Sequence, residues 1–210
     1  DQLMAAASIP ATRLLEVRGR YDRMRVEAVA GQYLDVLGES DPTAWSTERA
    51  LLVARLKTAS YTVQRPLQFG VALASDRMPG VDEAFSRYGA AVGEAFQLRD
   101  DLLGVYGDPA VTGKPASDDL RTGKPTTLRM LADRLASPAQ RAELTYTPDR
   151  DADLGRIAQV ITDTGAPAHL ESMIQERVAD AVAALTDAPI LPDARETLIE
   201  LAVRATHRPA

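Results

Sequence analysis

Two adjacent aspartates, Asp100 and Asp101, lie near the end of a long predicted helix and are the first candidates for chemistry. Neighbouring carboxylates that face a cleft repel each other unless a cation lies between them, and the carboxyl end of a helix already favours positive charge. Mg²⁺ suits such a pair because it takes oxygen ligands, keeps several waters and is often completed by substrate phosphates. A solvated helix end is an equally good interpretation of the pair alone, so the neighbouring residues decide.

The residues around this pair combine the types that bind metal with the types that bind phosphate. Gln97 precedes Asp101 by one helical turn, and Lys114, Asp119 and Lys124 follow in the next segment, all within 28 residues. Each of these side chains alone is typical of a protein surface. Acids for a metal and lysines for phosphate oxygens within one short stretch indicate a functional constellation instead.

Lysine is rare in this chain, because only Lys57, Lys114 and Lys124 are lysines among 24 basic residues. An Arg-rich composition explains this rarity without any function. Arginine, however, is a planar fork, whereas lysine is a compact point charge on a flexible stem, so the remaining lysines also mark positions where arginine does not serve. Lys114 and Lys124 each stand in the same four-residue context, Thr-Gly-Lys-Pro.

The element that must position the two aspartates is a helix over residues 82–106. Its apolar side chains recur at spacings of three and four, and it ends before Gly107, which is followed by Asp108 and Pro109. Residues 108–124 are rich in Gly, Pro, Asp and Thr and are predicted to form a loop, and a loop of this length in a compact domain is often functional. Further helices are predicted from residue 126 to the end of the chain.

Two upstream helices are predicted over residues 22–38 and 52–63. The first carries Gln32 and Asp35 on its polar side, three apart and therefore neighbours on the surface, and the second carries Lys57. We expect the apolar residues of the first helix, which recur at helical spacing, to lie in the core. These residues are Val26, Val29, Tyr33, Val36 and Leu37.

Composition limits the class of protein. With 210 residues, of which 45% are hydrophobic, the chain is long enough for one full-sized core, and a single all-α domain over residues 1–210 is expected. A net charge of −6 argues against a nucleic-acid surface, and no apolar run has the length of a membrane span. The absence of Cys and the wide separation of His169 and His207 exclude a zinc site or a Cys nucleophile. Because Asp1 begins a stretch typical of a helix interior, we expect further sequence upstream.

The order of these motifs resembles the second aspartate-rich region of the trans-prenyl diphosphate synthases. The matching segments are Phe96-Gln97-Leu98-Arg99-Asp100-Asp101-Leu102-Leu103, Gly107-Asp108-Pro109, Thr112-Gly113-Lys114-Pro115, Asp119-Leu120 and Gly123-Lys124-Pro125-Thr126. Upstream, Gly31-Gln32-Tyr33-Leu34-Asp35 is similar to the family's Gly-Gln-x-x-Asp segment, and Lys57-Thr58 to its Lys-Thr segment. Within the family, the amino-acid sequence of these motifs is most similar to that of actinobacterial geranylgeranyl or longer-chain synthases.

The resemblance implies roles for individual residues. It implies that Asp100 and Asp101 bind Mg²⁺ bridged to an allylic diphosphate, and that Lys57, Lys114 and Lys124 are the candidates for binding that diphosphate. The candidate catalytic residues are Lys57, Thr58 and Gln97, the last two lying beside the reacting allylic carbons. Gln32, Asp35 and Asp119 match the family pattern without an assigned role.

The resemblance also implies a fold and partners. The fold would be an isoprenoid-synthase-type helical bundle around a central cavity, in a cytoplasmic homodimer that does not bind nucleic acid and has no membrane span. The reaction would be the Mg²⁺-dependent condensation of isopentenyl diphosphate with an allylic prenyl diphosphate. A class I terpene cyclase shares this fold and metal chemistry, but such enzymes do not usually carry the Gly-Lys-Pro and Lys-Thr segments.

Two departures from the family pattern favour a different interpretation, a non-catalytic homologue that keeps the scaffold. The third aspartate of Asp-Asp-x-x-Asp is replaced by Gly104, for which Asp108, one turn further on, is a substitute acting through water. The family's first aspartate-rich motif is not in this chain. We therefore expect these 210 residues alone not to elongate isoprenoids, because part of the diphosphate charge would stay uncompensated.

Overall fold

The computed structural model describes residues 9–41, 44–74, 80–112, 117–145 and 151–207. Within these ranges the regular structure is helical and no strand is present, which confirms the predicted all-α class. In chain order the elements are α1 (Ala11–Ser40), α2 (Thr47–Ala54), a π-helix (Arg55–Gln64), α3 (Arg65–Leu73), α4 (Val81–Tyr106), α5 (Pro109–Thr112), α6 (Asp118–Arg121), α7 (Thr127–Leu135), α8 (Pro138–Leu144), α9 (Asp151–Asp163), α10 (Ala166–Thr186) and α11 (Pro192–Thr206).

The long helix α4 is the centre of the bundle. It begins after Gly80, whose φ of 87° is in the region that favours glycine, and Asp82 and Glu83 in its first turn interact favourably with the helix dipole. It packs against α10 on one side and the π-helix on the other. The helix predicted over residues 82–106 is therefore confirmed.

Two apolar clusters hold α4 in place. Near its start, Tyr88 and Val92 pack against Leu185 of α10, and near its end Leu98 packs with Leu131 of α7. All four aliphatic side chains are essentially inaccessible, as is Tyr88, whose hydroxyl donates to the carbonyl of Leu198 at 2.7 Å. Burying such a side chain stabilises the fold by about 1.5–3 kcal/mol. The carboxyl half of α4 is thus fixed firmly enough to position polar residues.

The π-helix lies between α1 and α4 in direct backbone contact with both. A Cβ atom on Gly31 of α1 would lie 2.7 Å from the carbonyl carbon of Leu56, and a Cβ on Gly93 of α4 would overlap Ala59. The obstructing atoms are main-chain atoms that no side-chain rotation can move, so glycine is required at both positions. A π-helix is rare and is frequent at functional sites, and this one carries Lys57.

The orientation of α1 differs from the sequence-based expectation. Val26, Val29 and Tyr33, expected in the core, are 68%, 70% and 66% exposed, and Val36 and Leu37 are exposed as well. The side of α1 that packs inward carries small or polar residues instead, including Gly31 and Asp35. Periodicity located the helix correctly but assigned the wrong face to the core, because close backbone packing on the π-helix determines the orientation. None of the helices in the described ranges is both long enough and apolar enough to span a membrane.

Candidate functional site

A small cavity lies where α1, α2, the π-helix and α4 meet the segment that leads into α7. Helix α2 contributes the apolar side chains of Ala50, Val53 and Ala54 to its wall, and the other elements and the residues before α2 contribute polar or aromatic side chains. They are Asp35 from α1, Trp45 before α2, Lys57 from the π-helix, Gln97 and Asp101 from α4, and Lys124, Thr126 and Thr127 at the start of α7. Residues that are distant in the sequence therefore converge on one place.

Asp35 connects the two lysines of this cavity. The ammonium group of Lys57 donates to one oxygen of the Asp35 carboxylate, and that of Lys124 lies 3.6 Å from the other oxygen. Burial lowers the pKa of Lys124, but the carboxylates of Asp35, Asp119 and Asp101 outweigh it, so the pKa is raised. Lys124 is therefore charged at neutral pH. The two ammonium groups share the Asp35 carboxylate, so the oxygens of a bound anion can replace that carboxylate as their partner.

A chain of hydrogen bonds joins the π-helix to α4 at the cavity wall. The hydroxyl of Thr58 donates to Oε1 of Gln97 at 2.8 Å, and Nε2 of Gln97 donates to Oδ1 of Asp101 at 3.1 Å. Gln97 and Asp101 are four apart on α4 and so lie on the same side of the helix. These bonds fix the Gln97 amide and place Thr58 beside it.

Asp101 is buried and accepts a further hydrogen bond at 2.8 Å from the backbone N–H of Thr127, the first residue of α7. The amino end of a helix favours a negative charge at this position. Burial nevertheless raises the pKa of Asp101 to about 7; the Gln97 hydrogen bond opposes this rise, and the negative charge of Asp119 adds to it. A bound cation would favour the ionised form of Asp101.

Asp100 does not line the cavity with Asp101, contrary to the expectation that the pair faces it together. Asp100 is partly buried and lies outside the cavity wall. Asp100 and Asp101 are three and four positions after Gln97, so helix geometry places them on either side of its direction. The cavity wall includes Asp101 and not Asp100, and the binding of one cation by both aspartates stays a prediction.

The remaining predicted residues lie in different places. Gln32 is exposed and outside the cavity wall, although Asp35, one turn later, is part of it. Asp119 of α6 is outside the cavity wall, with its carboxylate against Gly104 of α4. Lys114 lies outside the described residues.

Sequence reasoning missed two contributors to the wall. Trp45, the only Trp of the chain, packs its ring over Gly38 of α1, where an added Cβ would lie 2.8 Å from its Cε2. Thr126 caps α7, because its side chain accepts from the backbone N–H of Arg129. The isolated Trp in a chain with 5% aromatic residues was the available signal for the first, and a Thr directly after Gly-Lys-Pro for the second.

The donor chemistry fits a hard cation that is completed by other ligands. Among the described residues, no group of three or more acidic or histidine side chains lies close enough to hold a metal by itself. Mg²⁺ is commonly held by one or two carboxylates together with waters and substrate phosphates. Asp101, with Asp100 beside it in the chain and lysines across the cavity, provides that kind of incomplete oxygen site.

The fold and the cavity together define an all-helical protein with a site between its central helices that is lined by lysine and aspartate side chains. The chain belongs to the polyprenyl synthetase family, whose sequence profile matches residues 2–164. This confirms the resemblance identified from the motifs.

Individual relatives agree with this assignment. The geranylfarnesyl diphosphate synthase of Aeropyrum pernix is 34% identical over 178 residues, which cover 84% of this chain and 54% of that protein. The geranylgeranyl diphosphate synthase of Mycobacterium tuberculosis is 34% identical over 168 residues, which cover 78% of this chain and 47% of that protein. The chain thus spans about half the length of these two curated relatives.

A solved structure shows the same fold. The geranylgeranyl pyrophosphate synthase of Corynebacterium glutamicum, in complex with isoprenyl diphosphate and magnesium, is 40% identical with a TM-score of 0.89. The match covers 96% of this chain and 57% of that one. This relative and the one from Mycobacterium tuberculosis are actinobacterial, as the amino-acid sequence of the motifs predicted.

Proposed function

We propose that this chain is the region of a Mg²⁺-dependent prenyltransferase that binds an allylic prenyl diphosphate and joins it to isopentenyl diphosphate. One observation supports this most directly. The Asp35-linked lysines line one cavity together with Gln97 and Asp101, and Thr58 is hydrogen-bonded to Gln97 beside that cavity. An anion site beside polar groups that point at a second part of the ligand suits a molecule with a diphosphate head and a reacting carbon next to it.

In the proposed reaction the carbon–oxygen bond of the allylic diphosphate breaks and its electron pair leaves with the diphosphate. The double bond of isopentenyl diphosphate then attacks the allylic cation, a carbon–carbon bond forms, and loss of a proton gives a product five carbons longer. Lys57, Lys114 and Lys124 bind the diphosphate oxygens. Mg²⁺, held by Asp100 and Asp101, would neutralise charge on the leaving diphosphate.

Thr58 and Gln97 hold the reacting carbons in this proposal. Their mutual hydrogen bond is anchored through Asp101 to the amino end of α7, so the amide and the hydroxyl are preorganised before a ligand arrives. Fixed dipoles beside a developing charge stabilise a transition state without reorganisation, and this is usually the largest catalytic contribution. Their positions therefore suit a cationic allylic centre next to a departing anion.

The test is an elongation assay of the protein produced from its gene. The protein is incubated with Mg²⁺, labelled isopentenyl diphosphate and one allylic diphosphate at a time, of about 5, 10, 15 or 20 carbons. Each substrate is present at a saturating concentration. We expect products of geranylgeranyl length or longer, and loss of elongation on chelation of Mg²⁺ or in Lys57→Ala. Diphosphate binding without elongation in that protein would favour the non-catalytic homologue instead.

Three further features belong to the proposal. The 210 residues are one domain, the complete protein is a cytoplasmic homodimer, and the 210 residues alone do not elongate isoprenoids. The last follows because the described residues contain no group of three or more acidic or histidine side chains that could hold a metal without further ligands. Light scattering tests the dimer, and an assay of the chain at its mass of 22.6 kDa tests the lack of elongation.

A further inference from the structure

Gly104 of α4 and Asp119 of α6 share one volume. A Cβ atom added to Gly104 would overlap Oδ2 of Asp119 and would lie 2.7 Å from its Cγ. A carboxylate therefore already occupies the space into which a side chain at position 104 would project. Gly104 is the position where an aspartate completes the Asp-Asp-x-x-Asp pattern in related sequences, so its lack of a side chain coincides with the presence of another carboxylate.

The position of Asp119 is fixed by its neighbours in the chain. The backbone of Ser117 has a positive φ of 57°. Its side-chain hydroxyl donates to the carbonyl of Val105 at 3.1 Å. Leu120 is buried in the same core cluster as the carboxyl half of α4, and the backbone N–H of Lys124 donates to the carbonyl of Asp119 at 3.0 Å. A non-glycine residue with positive φ is uncommon and is maintained only by its surroundings. The loop is thus pinned to the helix immediately after Gly104.

Asp119 also interacts electrostatically with the proposed metal and diphosphate groups. Its negative charge contributes to the raised pKa of Asp101, together with burial as the larger cause, and to the raised pKa of Lys124. The Asp119 carboxylate is therefore close enough to both groups to act on them electrostatically. Asp108, the substitute expected from the sequence, is exposed and follows Gly107 after the end of α4.

We propose that Asp119 takes the place of the third aspartate of the motif as a positioning residue of the Mg²⁺ site, and that position 104 is glycine because Asp119 occupies its side-chain volume. This inference rests on the proposed function. The Mg²⁺ site is the one that Asp100 and Asp101 would form, and Asp119 acts on it directly or through metal-bound water. The glycine at position 104 then reflects the relocation of a carboxylate from α4 to α6, and the site keeps the same number of carboxylates.

The test is a double-mutant cycle on Mg²⁺ binding in the presence of inorganic diphosphate, measured by titration calorimetry. Loss of a group that orients a metal site costs about tenfold to a hundredfold in metal affinity, and we expect at least tenfold weaker binding in Asp119→Ala. Gly104→Ala removes no charge, yet its methyl group displaces the Asp119 carboxylate, so it should weaken binding to a similar degree. In the double variant the second change should add nothing. Asp118→Ala, which removes the neighbouring charge on α6, is the matched control and should bind normally.

A relocation variant makes the same test in the opposite direction. Gly104→Asp combined with Asp119→Ala returns the carboxylate to the helix and should recover Mg²⁺ affinity to within about threefold of the original protein, as coupled neighbouring sites allow. Circular dichroism and thermal unfolding confirm that each variant is folded before its affinity is compared.

The outcomes separate this inference from the proposed function. If the protein elongates isoprenoids and binds Mg²⁺ but Asp119→Ala or Gly104→Ala binds it unchanged, the inference is overturned and the function stands. If the coupled loss and its recovery are seen but the protein produced from its gene transfers no prenyl group, the inference stands and the function fails. A protein that binds no Mg²⁺ with diphosphate overturns the inference.

Discussion

The ammonium nitrogen of Lys124 lies 3.6 Å from Oδ1 of Asp35. Because the other oxygen of Asp35 accepts from Lys57, the two lysines share one buried counterion. A diphosphate that binds both ammonium groups must compete with this carboxylate. Asp35 thus opposes the binding of an anion while it holds the lysines in the orientation in which they meet it.

This competition predicts opposite effects of Asp35→Asn on binding and on turnover. We expect inorganic diphosphate to bind about threefold to tenfold more tightly, which corresponds to part of a charge-assisted hydrogen bond, while turnover falls because the lysines lose their common support. Trp45 lines the same cavity as the only Trp of the chain, so its fluorescence measures binding directly. Asp22→Asn, on an exposed part of α1, is the control. Weaker diphosphate binding in Asp35→Asn would contradict the competition.

Lys114→Ala tests the loop lysine that only the sequence pattern assigns. Removing a charge-assisted contact to a diphosphate costs about 1.5–3 kcal/mol, so kcat/KM for the allylic substrate should fall about tenfold to a hundredfold. Arg134→Ala removes a positive charge from an exposed position of α7 and should leave kcat/KM within about twofold. Steady-state kinetics on both variants decides, and equal losses would show that the loop residue has no specific contact.

Gly93→Ala tests the close packing of α4 on the π-helix. The added methyl group would overlap Ala59, and forcing one extra carbon into a packed interior costs about 1–3 kcal/mol in the free energy of unfolding. Gly155→Ala, in α9, meets no atom within 4 Å and should instead stabilise the protein by about 0.5–1 kcal/mol. Urea unfolding measures both, and a neutral Gly93→Ala would mean that the helices separate easily.

Glu27 of α1 gives a prediction for pH. Burial raises the pKa of Glu27, but hydrogen bonds from Arg65 and Ser60 outweigh it and lower the pKa below its ordinary value of 4.5. A lowered pKa in the folded state contributes stability above the unfolded value and loses it as pH falls through the folded value. Glu27→Gln should therefore be less stable by about 1–3 kcal/mol at pH 7, with the difference shrinking below pH about 4.5. Denaturant unfolding at several pH values checks this, and a constant difference would contradict it.

The sequence predicted the helices well and the orientation of one of them badly. Spacings of three and four located α4 to within a residue, because this helix buries a clear apolar stripe. The same rule failed for α1, whose apolar stripe is exposed while its small residues pack inward. Periodicity reports which side of a helix is apolar, and it does not report which side meets a backbone at close range.

Much of the candidate site could also be predicted, though not its internal contacts. Lys57, Gln97, Asp101 and Lys124 were identified from residue type and motif order, and the structure brings them to one cavity. The role of Asp35 as the shared counterion required three dimensions, because its partners lie 22 and 89 positions further along the chain. The overlap of the Asp119 carboxylate with the side-chain volume of position 104 could not be predicted from the sequence either, because the two residues are 15 positions apart and meet only in the folded chain.

The backbone contacts at the π-helix have a mechanical consequence. Gly31 and Gly93 touch that helix through main-chain atoms, and such contacts cannot be relaxed by a change of rotamer. A small tilt of α1 therefore carries the segment with Lys57 along with it, and Asp35, one turn beyond Gly31, travels by nearly the same amount. The spacing between this lysine and its carboxylate is protected against distortions that begin on the exposed face of α1.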